Sequence, residues 1–225
     1  MPKPSKRVLA ETLAAWFSEA GRSFPWRDSQ DPYAVLIGEV LLQRTRGDLV
    51  EPVYLDFMRR WPTPDSLGRA RETTIARVVR PLGLAKRAPI IRRLGAALKE
   101  RGAVPNEPSE LLKLPGVGPY AAHAVPVFAL GETLPLVDWV IARVLRRYFG
   151  LNPGKRPNQD PDLWKLARDL TKYAEARPLW LGTLDFASEV CRPKPRCPHC
   201  PLRGSCATGQ LVLTKGSDGT TIREN

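Results

Sequence analysis

Four cysteines lie within the sixteen residues CRPKPRCPHCPLRGSC, and the rest of the 225-residue chain contains none. They are Cys191, Cys197, Cys200 and Cys206, separated by five, two and five residues. Four thiolates this close together can hold either a zinc ion or an iron–sulfur cluster. Zinc sites more often use two C-x2-C pairs well separated in sequence, so the spacing favours a cluster only modestly and leaves zinc open. His199, inside the central pair, is predicted to be a bystander.

The same stretch is rigid and basic. Its prolines stiffen the arcs between the cysteines, and its first arc carries Arg192, Lys194 and Arg196, where a phosphate could meet them. Over the whole chain 35 Lys and Arg outnumber 23 Asp and Glu, which gives a net charge of +12. Arginines also cluster within residues 143–147. Because clustered cations release counterions from phosphates, and 43% hydrophobic residues can bury a core, we expect a folded nucleic-acid-binding protein.

The N-terminal sequence MPKPSKRVLAETLAAW is charged and then amphipathic, without the apolar core or cleavage pattern of a signal peptide. No stretch approaches eighteen uninterrupted apolar residues, so no membrane association is expected. These features predict a cytoplasmic, nucleoid-associated protein of prokaryotic type, in which structural disulfides would be rare.

Hydrophobic periodicity predicts an all-α fold without β-strands. The predicted helices span 8–19, 32–43, 48–60, 65–70, 73–79, 86–101, 108–113, 119–130, 138–149, 161–175 and 181–190. Asp31 and Pro32 have the types of residue that cap and begin a helix. Pro126, inside a predicted helix, is expected to kink it.

Residues 108–124, PSELLKLPGVGPYAAHA, run from a short helix through Leu-Pro-Gly-Val-Gly into a second helix. Gly116, Val117 and Gly118 would form a tight turn with a bare backbone. Such a turn presents N–H groups at a helix N-terminus, which is a phosphate-binding arrangement.

The string LPGVGPYAA resembles the hairpin of the helix–hairpin–helix (HhH-GPD) superfamily of DNA glycosylases, which includes endonuclease III and the adenine mismatch glycosylases. Three further segments resemble this family in the expected order: FPWRDSQDPYAVLIGEVLLQRT upstream, LPLVDWVIARVLRRYFG with Asp138 downstream, and finally the cysteine-rich loop. The resemblance implies that the four cysteines hold a [4Fe-4S] cluster. The cluster would brace the basic loop for DNA contact and would have no redox role in the reaction.

The resemblance also implies two helical domains with a DNA-binding cleft between them. One domain would be a six-helix barrel over 30–135, with the hairpin at about 108–130. The other would combine 1–29 with 136–213 and carry the cluster loop 191–206, and 214–225 would be a flexible tail. The expected partner is double-stranded DNA with a lesion or mismatch, bound by a monomer.

Three residues are the catalytic candidates. A glycosylase everts a nucleotide, and positive charge builds on its sugar as the base leaves. Asp138 could stabilise that charge or orient water, and a helix N-terminus would favour its ionised form. Glu39, an acid on an apolar helix, resembles a glutamate of the base pocket in this family, where it could protonate or hydrogen-bond the leaving base, unless it is merely a partly exposed helix residue. Tyr120 would lie with Asp138 at the mouth of the cleft.

Tyr120 also bears on the class of reaction. Endonuclease III-like enzymes have a lysine at this position, and its amine attacks the sugar and permits strand cleavage, whereas a phenol cannot form an imine. Tyrosine resembles the thymine–guanine mismatch branch, so we expect hydrolytic removal of U or T opposite G, with weak or no lyase activity. Gln43 matches the family position that fills the gap left by the base, and Leu84 the wedge on the opposite strand. Trp139 departs from the family pattern and could narrow the pocket or reorient the carboxylate.

Two alternatives stay open. One is an endonuclease III-like enzyme for oxidised pyrimidines that uses another amine, with Lys113 and Lys86 nearest in sequence. The other is a non-catalytic iron–sulfur DNA-binding protein.

Overall fold

The computed structural model describes residues 3–43, 45–152 and 154–211. Within these ranges the chain consists of helices and connecting turns and contains no strand, which confirms the all-α prediction. The predicted tail 214–225 lies outside the described residues. None of the described helices combines the length and the apolar character needed to cross a membrane. The α-helices are α1 (Lys6–Ala20), α2 (Pro32–Leu41), α3 (Gly47–Arg60), α4 (Pro64–Gly68), α5 (Glu72–Val79), α6 (Ala88–Arg101), α7 (Pro108–Leu111), α8 (Pro119–Leu130), α9 (Trp139–Phe149), α10 (Pro161–Leu170) and α11 (Ala176–Glu189).

Capping residues and prolines affect where the helices begin and end, so some boundaries differ from those that hydrophobic periodicity predicts. The Asp31 carboxylate accepts a hydrogen bond from Tyr33 N at 2.9 Å, so the predicted cap of α2 is confirmed. Helix α8 continues through Pro126. Helix α11 begins at Ala176, five residues before the predicted start, because Pro178 lies in its first turn, where proline is tolerated.

Close contacts divide the chain into two units. One is Ser23–Glu132, and the other combines Met1–Arg22 with Thr133–Asn225. In the first unit α2 packs on α8 and α3, while α6 packs on α4 and α5. In the second unit α1 packs along α11, and α9 also contacts α11.

The first boundary differs from the predicted one at residue 30. Phe24 and Trp26 stack with ring centroids 4.8 Å apart, and Trp26 meets Tyr54 of α3 edge-on at 5.2 Å. A Cβ added at Gly38 of α2 would lie 2.6 Å from the Trp26 side chain. These aromatic residues therefore belong to the core of Ser23–Glu132.

In the other unit, α1 and α11 approach closely at Gly182, where an added Cβ would lie 1.9 Å from the Leu13 carbonyl oxygen. One turn further along α11, Asp185 is fully buried. Arg22 donates to its carboxylate from Nε at 2.9 Å, from Nη2 at 2.8 Å and from the backbone N at 2.9 Å. Since Arg22 is the last residue before the chain enters the other unit, this pair fixes the end of the α1 segment to α11.

Replacing Arg22 with methionine should lower the free energy of unfolding by about 1.5–3 kcal/mol, because the buried Asp185 would lose charge-assisted hydrogen bonds. Chemical denaturation measures this change. Lys6→Met is the matched control, since Lys6 pairs with Asp169 at the surface and exposed ion pairs contribute little. Equal losses in the two variants would contradict the anchoring role of Arg22.

Candidate active site

The two glycines of the hairpin turn have different roles. Gly116 has a φ of +80°, which strains an L side chain, and a Cβ there would lie 2.7 Å from Ile90 Cγ2. Gly118 has a φ of −102°, and an added Cβ would meet open space. Val117, between them, is buried and anchors the turn. The chain itself therefore requires glycine at 116, whereas glycine at 118 leaves the backbone bare on its open side, as a phosphate contact would need.

The hairpin turn leads directly into the N-terminus of α8. Gly118 is the N-cap, and no side chain among the described residues caps this end. The positive end of the helix dipole thus faces a position suited to an anion. Gln43 lies beside the same turn and donates from Nε2 to Gly116 O at 3.2 Å. The predicted gap-filling side chain is therefore held at the hairpin, while its contact with DNA stays a prediction.

Two catalytic candidates lie on helices that pack together. Glu39, in α2, is only 7% exposed, so the alternative of a partly exposed helix residue is wrong. Tyr120, half-buried, is the second residue of α8, against which α2 packs. A carboxyl group this enclosed needs hydrogen bonds or a proton to remain stable. The arrangement makes Glu39 suitable for a protonation or hydrogen-bonding role, which stays a prediction.

Asp138 is the N-cap of α9, and its Oδ1 accepts a hydrogen bond from Ile141 N at 2.6 Å. Burial raises the pKa of Asp138, while the N–H groups of Ile141 and Val140 and the charge of Arg143 oppose that rise. The sequence correctly predicts that Asp138 lies at a helix N-terminus. It does not predict that burial affects the pKa of Asp138 more strongly than the N–H groups of that N-terminus do. Asp138 is half-buried, so its partial desolvation raises the pKa without closing the residue off from solvent.

The four cysteines are free thiols, partly buried, and they line one cavity. Apolar side chains, including Val144 and Phe186, complete the lining. Burial raises the pKa of Cys197, Cys200 and Cys206, that of Cys200 to about 11. Over the described ranges, no three His, Cys, Asp or Glu side chains are grouped as the ligands of a single metal ion would be. The shared cavity and the all-thiol donor set are compatible with the predicted cluster, which stays a prediction.

The arginine cluster of α9 binds the chain's own backbone. Arg147 donates to the carbonyl oxygens of residues 191, 192 and 193 at 3.4, 2.5 and 2.8 Å. Arg143 donates to those of residues 187 and 191 at 3.1 and 3.0 Å, and Arg146 pairs with Asp160 at 3.0 Å. Contacts within the chain therefore already engage these arginines, and any contribution they make to DNA binding stays a prediction. They tie α9 to its neighbours and fix the first arc of the cysteine loop.

The cations predicted to contact DNA from the first arc of the cysteine loop differ from the arginines of α9 in their exposure to solvent. Arg192, Lys194 and Arg196 are all exposed. Their backbone is held by Arg147 and by a hydrogen bond from Arg196 N to Val190 O at 2.9 Å. Exposed cations on a fixed loop suit phosphate contact, which stays a prediction.

Leu84 lies between two short 3-10 helices, Arg80–Leu82 and Ala85–Arg87, and is only 7% exposed. An enclosed side chain cannot enter a base stack unless the turn moves. The burial of Leu84 therefore argues against its predicted role as a wedge. Periodicity and motif spacing do not show whether this side chain is buried. Gly83, the residue before Leu84, is exposed.

Comparisons with known proteins agree with this arrangement. The model of the HhH-GPD superfamily of base excision DNA repair proteins matches residues 37–168. The chain is 38% identical over 200 residues to a thymine/uracil-DNA glycosylase of Pyrobaculum aerophilum, covering 85% of this chain and 87% of the relative. It is 36% identical over 207 residues to a thymine-DNA glycosylase of Aeropyrum pernix, covering 88% and 93%. The solved structure of a thermostable thymine-DNA glycosylase superposes with a TM-score of 0.85 at 31% identity, covering 92% of this chain and 97% of that one.

Proposed function

The chain belongs to the HhH-GPD superfamily of base excision DNA repair proteins, and on that premise we propose that it is a DNA glycosylase that hydrolytically removes uracil or thymine opposite guanine from duplex DNA. The observation that carries the proposal is the Asp138 carboxylate, held at the N-terminus of α9 against the cost of burial. Relatives that cover most of this chain are named for thymine and uracil, which supports the choice of base.

Asp138 would act on the sugar. As the glycosidic bond breaks, positive charge develops on the deoxyribose, and a fixed carboxylate stabilises it more in the transition state than in the ground state. The hydrogen bond from Ile141 N holds one oxygen of Asp138 in place, so the carboxylate does not need to reorient during the reaction. Burial raises the pKa of Asp138, and a positive charge developing beside the carboxylate would favour its ionised form.

Glu39 and Tyr120 would act around the leaving base. A buried carboxylic acid can donate a proton or a hydrogen bond to the departing pyrimidine, which makes it a better leaving group. Tyr120 provides a hydroxyl at the position where an imine-forming amine would stand in a lyase. Because a phenol does not form an imine, water completes the reaction and the strand stays intact.

The four cysteines would hold a [4Fe-4S] cluster, since all four thiols line one cavity. When bound, the cluster would cross-link the loop and supply no chemistry to the reaction. The exposed Arg192, Lys194 and Arg196 could then contact phosphates from a fixed backbone. The cleft between domains, the monomeric state and the cytoplasmic location stay predictions.

Single-turnover base release should be fastest on duplexes with U or T opposite G, and slow on oxidised pyrimidines. Gel separation of alkali-treated products measures release across such a panel. Borohydride should trap little wild-type protein on uracil-containing DNA, since position 120 offers no amine. Tyr120→Lys, which places an amine there, is the matched positive control and should gain a trapped adduct.

Each alternative has its own signature in this assay. Efficient trapping of the wild type would favour the lyase alternative that uses Lys113 or Lys86. Tight binding of a stable abasic-site duplex without base release from any lesion would favour the non-catalytic DNA-binding protein.

A further inference from the structure

Trp139 is the first residue of α9 and is 66% exposed. This is unusual for the tryptophans of this chain: Trp26, Trp61 and Trp180 are 2%, 7% and 0% exposed. The Trp139 side chain lies largely in solvent and therefore does not narrow a pocket. Nor is the carboxylate of the preceding Asp138 displaced, because it still caps the helix through Ile141 N. Neither effect predicted from the sequence therefore explains why an indole stands here.

The helical geometry places Trp139 away from the core. The buried stripe of α9 consists of Ile141, Ala142, Val144, Leu145 and Tyr148. At about 100° per residue, Trp139 projects from the side opposite the centre of that stripe. Arg143 and Arg146 share its side, but their guanidinium groups are engaged by backbone carbonyls and by Asp160. Within the part of the chain that the structure describes, no aromatic ring contacts Trp139.

A single exposed apolar side chain is common, and exposure alone indicates nothing. What distinguishes Trp139 is its neighbour, since consecutive Cα atoms are about 3.8 Å apart. If the Asp138 carboxylate reaches a deoxyribose, the exposed indole on the adjacent residue can reach a nucleobase close to that sugar. An indole offers a broad flat face, which stacks on any nucleobase regardless of its identity.

We propose that Trp139 stacks on a nucleobase of the substrate strand when Asp138 is at the sugar, and so determines how tightly the everted nucleotide is held. This inference rests on the proposed glycosylase function. The base could be the everted pyrimidine or its neighbour in the strand, and both present the same flat face. The departure from the family pattern at position 139 would then add a DNA contact beside Asp138.

Dissociation constants of Trp139→Ala and Trp139→Phe test the inference. They are measured in the Asp138→Asn background, which keeps the base attached, on a U·G duplex and on a duplex with a tetrahydrofuran abasic analogue. Alanine should weaken binding about tenfold, as stacking contacts do, and phenylalanine should restore most of it. Loss on the U·G duplex alone identifies the everted base as the stacking partner, and loss on both duplexes identifies the neighbour. Leu55→Ala, which removes another exposed apolar side chain, is the control and should change neither.

Tryptophan fluorescence gives a second readout that does not need turnover. Binding of the abasic duplex should quench the emission of the wild type, and Trp139→Phe should remove most of that quenching. Unchanged binding by Trp139→Ala, in protein that melts at the wild-type temperature, overturns the inference while leaving the proposed function intact. Absence of base release by the wild type overturns the proposed function, whatever the stacking measurements show.

Discussion

Replacing Asp138 with asparagine should slow base release about 10²–10³-fold, because the variant loses the fixed charge that stabilises the developing positive sugar. Asparagine is nearly isosteric, and its side-chain oxygen can still accept the hydrogen bond from Ile141 N that caps α9. Binding to a duplex with an abasic analogue should therefore change little. Single-turnover kinetics on a U·G duplex measure the rate, and fluorescence anisotropy measures the binding.

The matched control is Asp31→Asn. Asp31 also caps a helix, accepting from Tyr33 N at 2.9 Å, but it is exposed. The control should release base at the wild-type rate, which separates loss of a carboxylate from loss of a cap. Wild-type rates in Asp138→Asn would refute the role of Asp138 at the sugar.

The same substitution has a consequence for stability. The pKa of Asp138 is raised by burial, so the folded state holds its proton to higher pH than the unfolded state does. As pH rises from the ordinary Asp value of 3.8 through the raised pKa, the unfolded state releases this proton first and gains relative stability. Asparagine avoids that cost. The stability of Asp138→Asn relative to wild type should therefore increase across this window and then level off, as chemical denaturation at several pH values can show.

The sequence correctly predicts that Asp138 begins a helix and that the chain belongs to its family, because local rules and motif order agree there. An aspartate before an amphipathic segment predicts an N-cap, and the order of hairpin, aspartate and cysteine loop predicts a glycosylase. The depth of Asp138 could not be predicted in the same way, because it depends on how segments distant in sequence cover it. That coverage decides the direction in which its pKa moves.

Glu39 and Asp185 show the limit of the rule that an acid on an apolar helix indicates function. Both carboxylates are buried, at 7% and 0% exposed, and both stand in apolar helical segments. The sequence draws attention to Glu39 because it lies in a family motif. Asp185, in LWLGTLDFA, has the same signal but serves to hold Arg22. An acid in an apolar helical segment therefore predicts that the carboxylate is buried. The role of that carboxylate depends on the group that it contacts.

Charge and hydrophobicity leave the contacts of other residues unpredicted for a related reason. Composition counts Arg143, Arg146 and Arg147 as available cations, yet carbonyl groups of the cysteine loop and Asp160 already engage them. Leu84 is predicted to be a protruding wedge, but its side chain is buried. Because neither composition nor spacing shows which way a side chain points, such residues need the fold before a role can be given to them.

Replacing Cys200 with serine should remove the metal and destabilise residues 191–206. Cys200 is one of four thiols on a single cavity, and structural metal sites contribute on the order of 10 kcal/mol to folding. That contribution is comparable to the whole stability of a typical domain, about 5–15 kcal/mol. The wild type should be brown, with broad visible absorption and bound iron. The variant should be colourless, melt at lower temperature and be cleaved rapidly by protease within this loop.

His199→Ala is the control, because His199 is exposed beside Cys200 and is predicted not to be a ligand. This variant should keep the colour, the iron and the melting temperature of the wild type. If Cys200→Ser proves insoluble, iron removal from the wild type by a chelator gives the same comparison, with melting temperature as the readout. A colourless wild type that contains zinc would contradict the cluster while preserving the four-thiol site. Loss of iron from His199→Ala alone would instead mean that the histidine is a ligand in place of one cysteine.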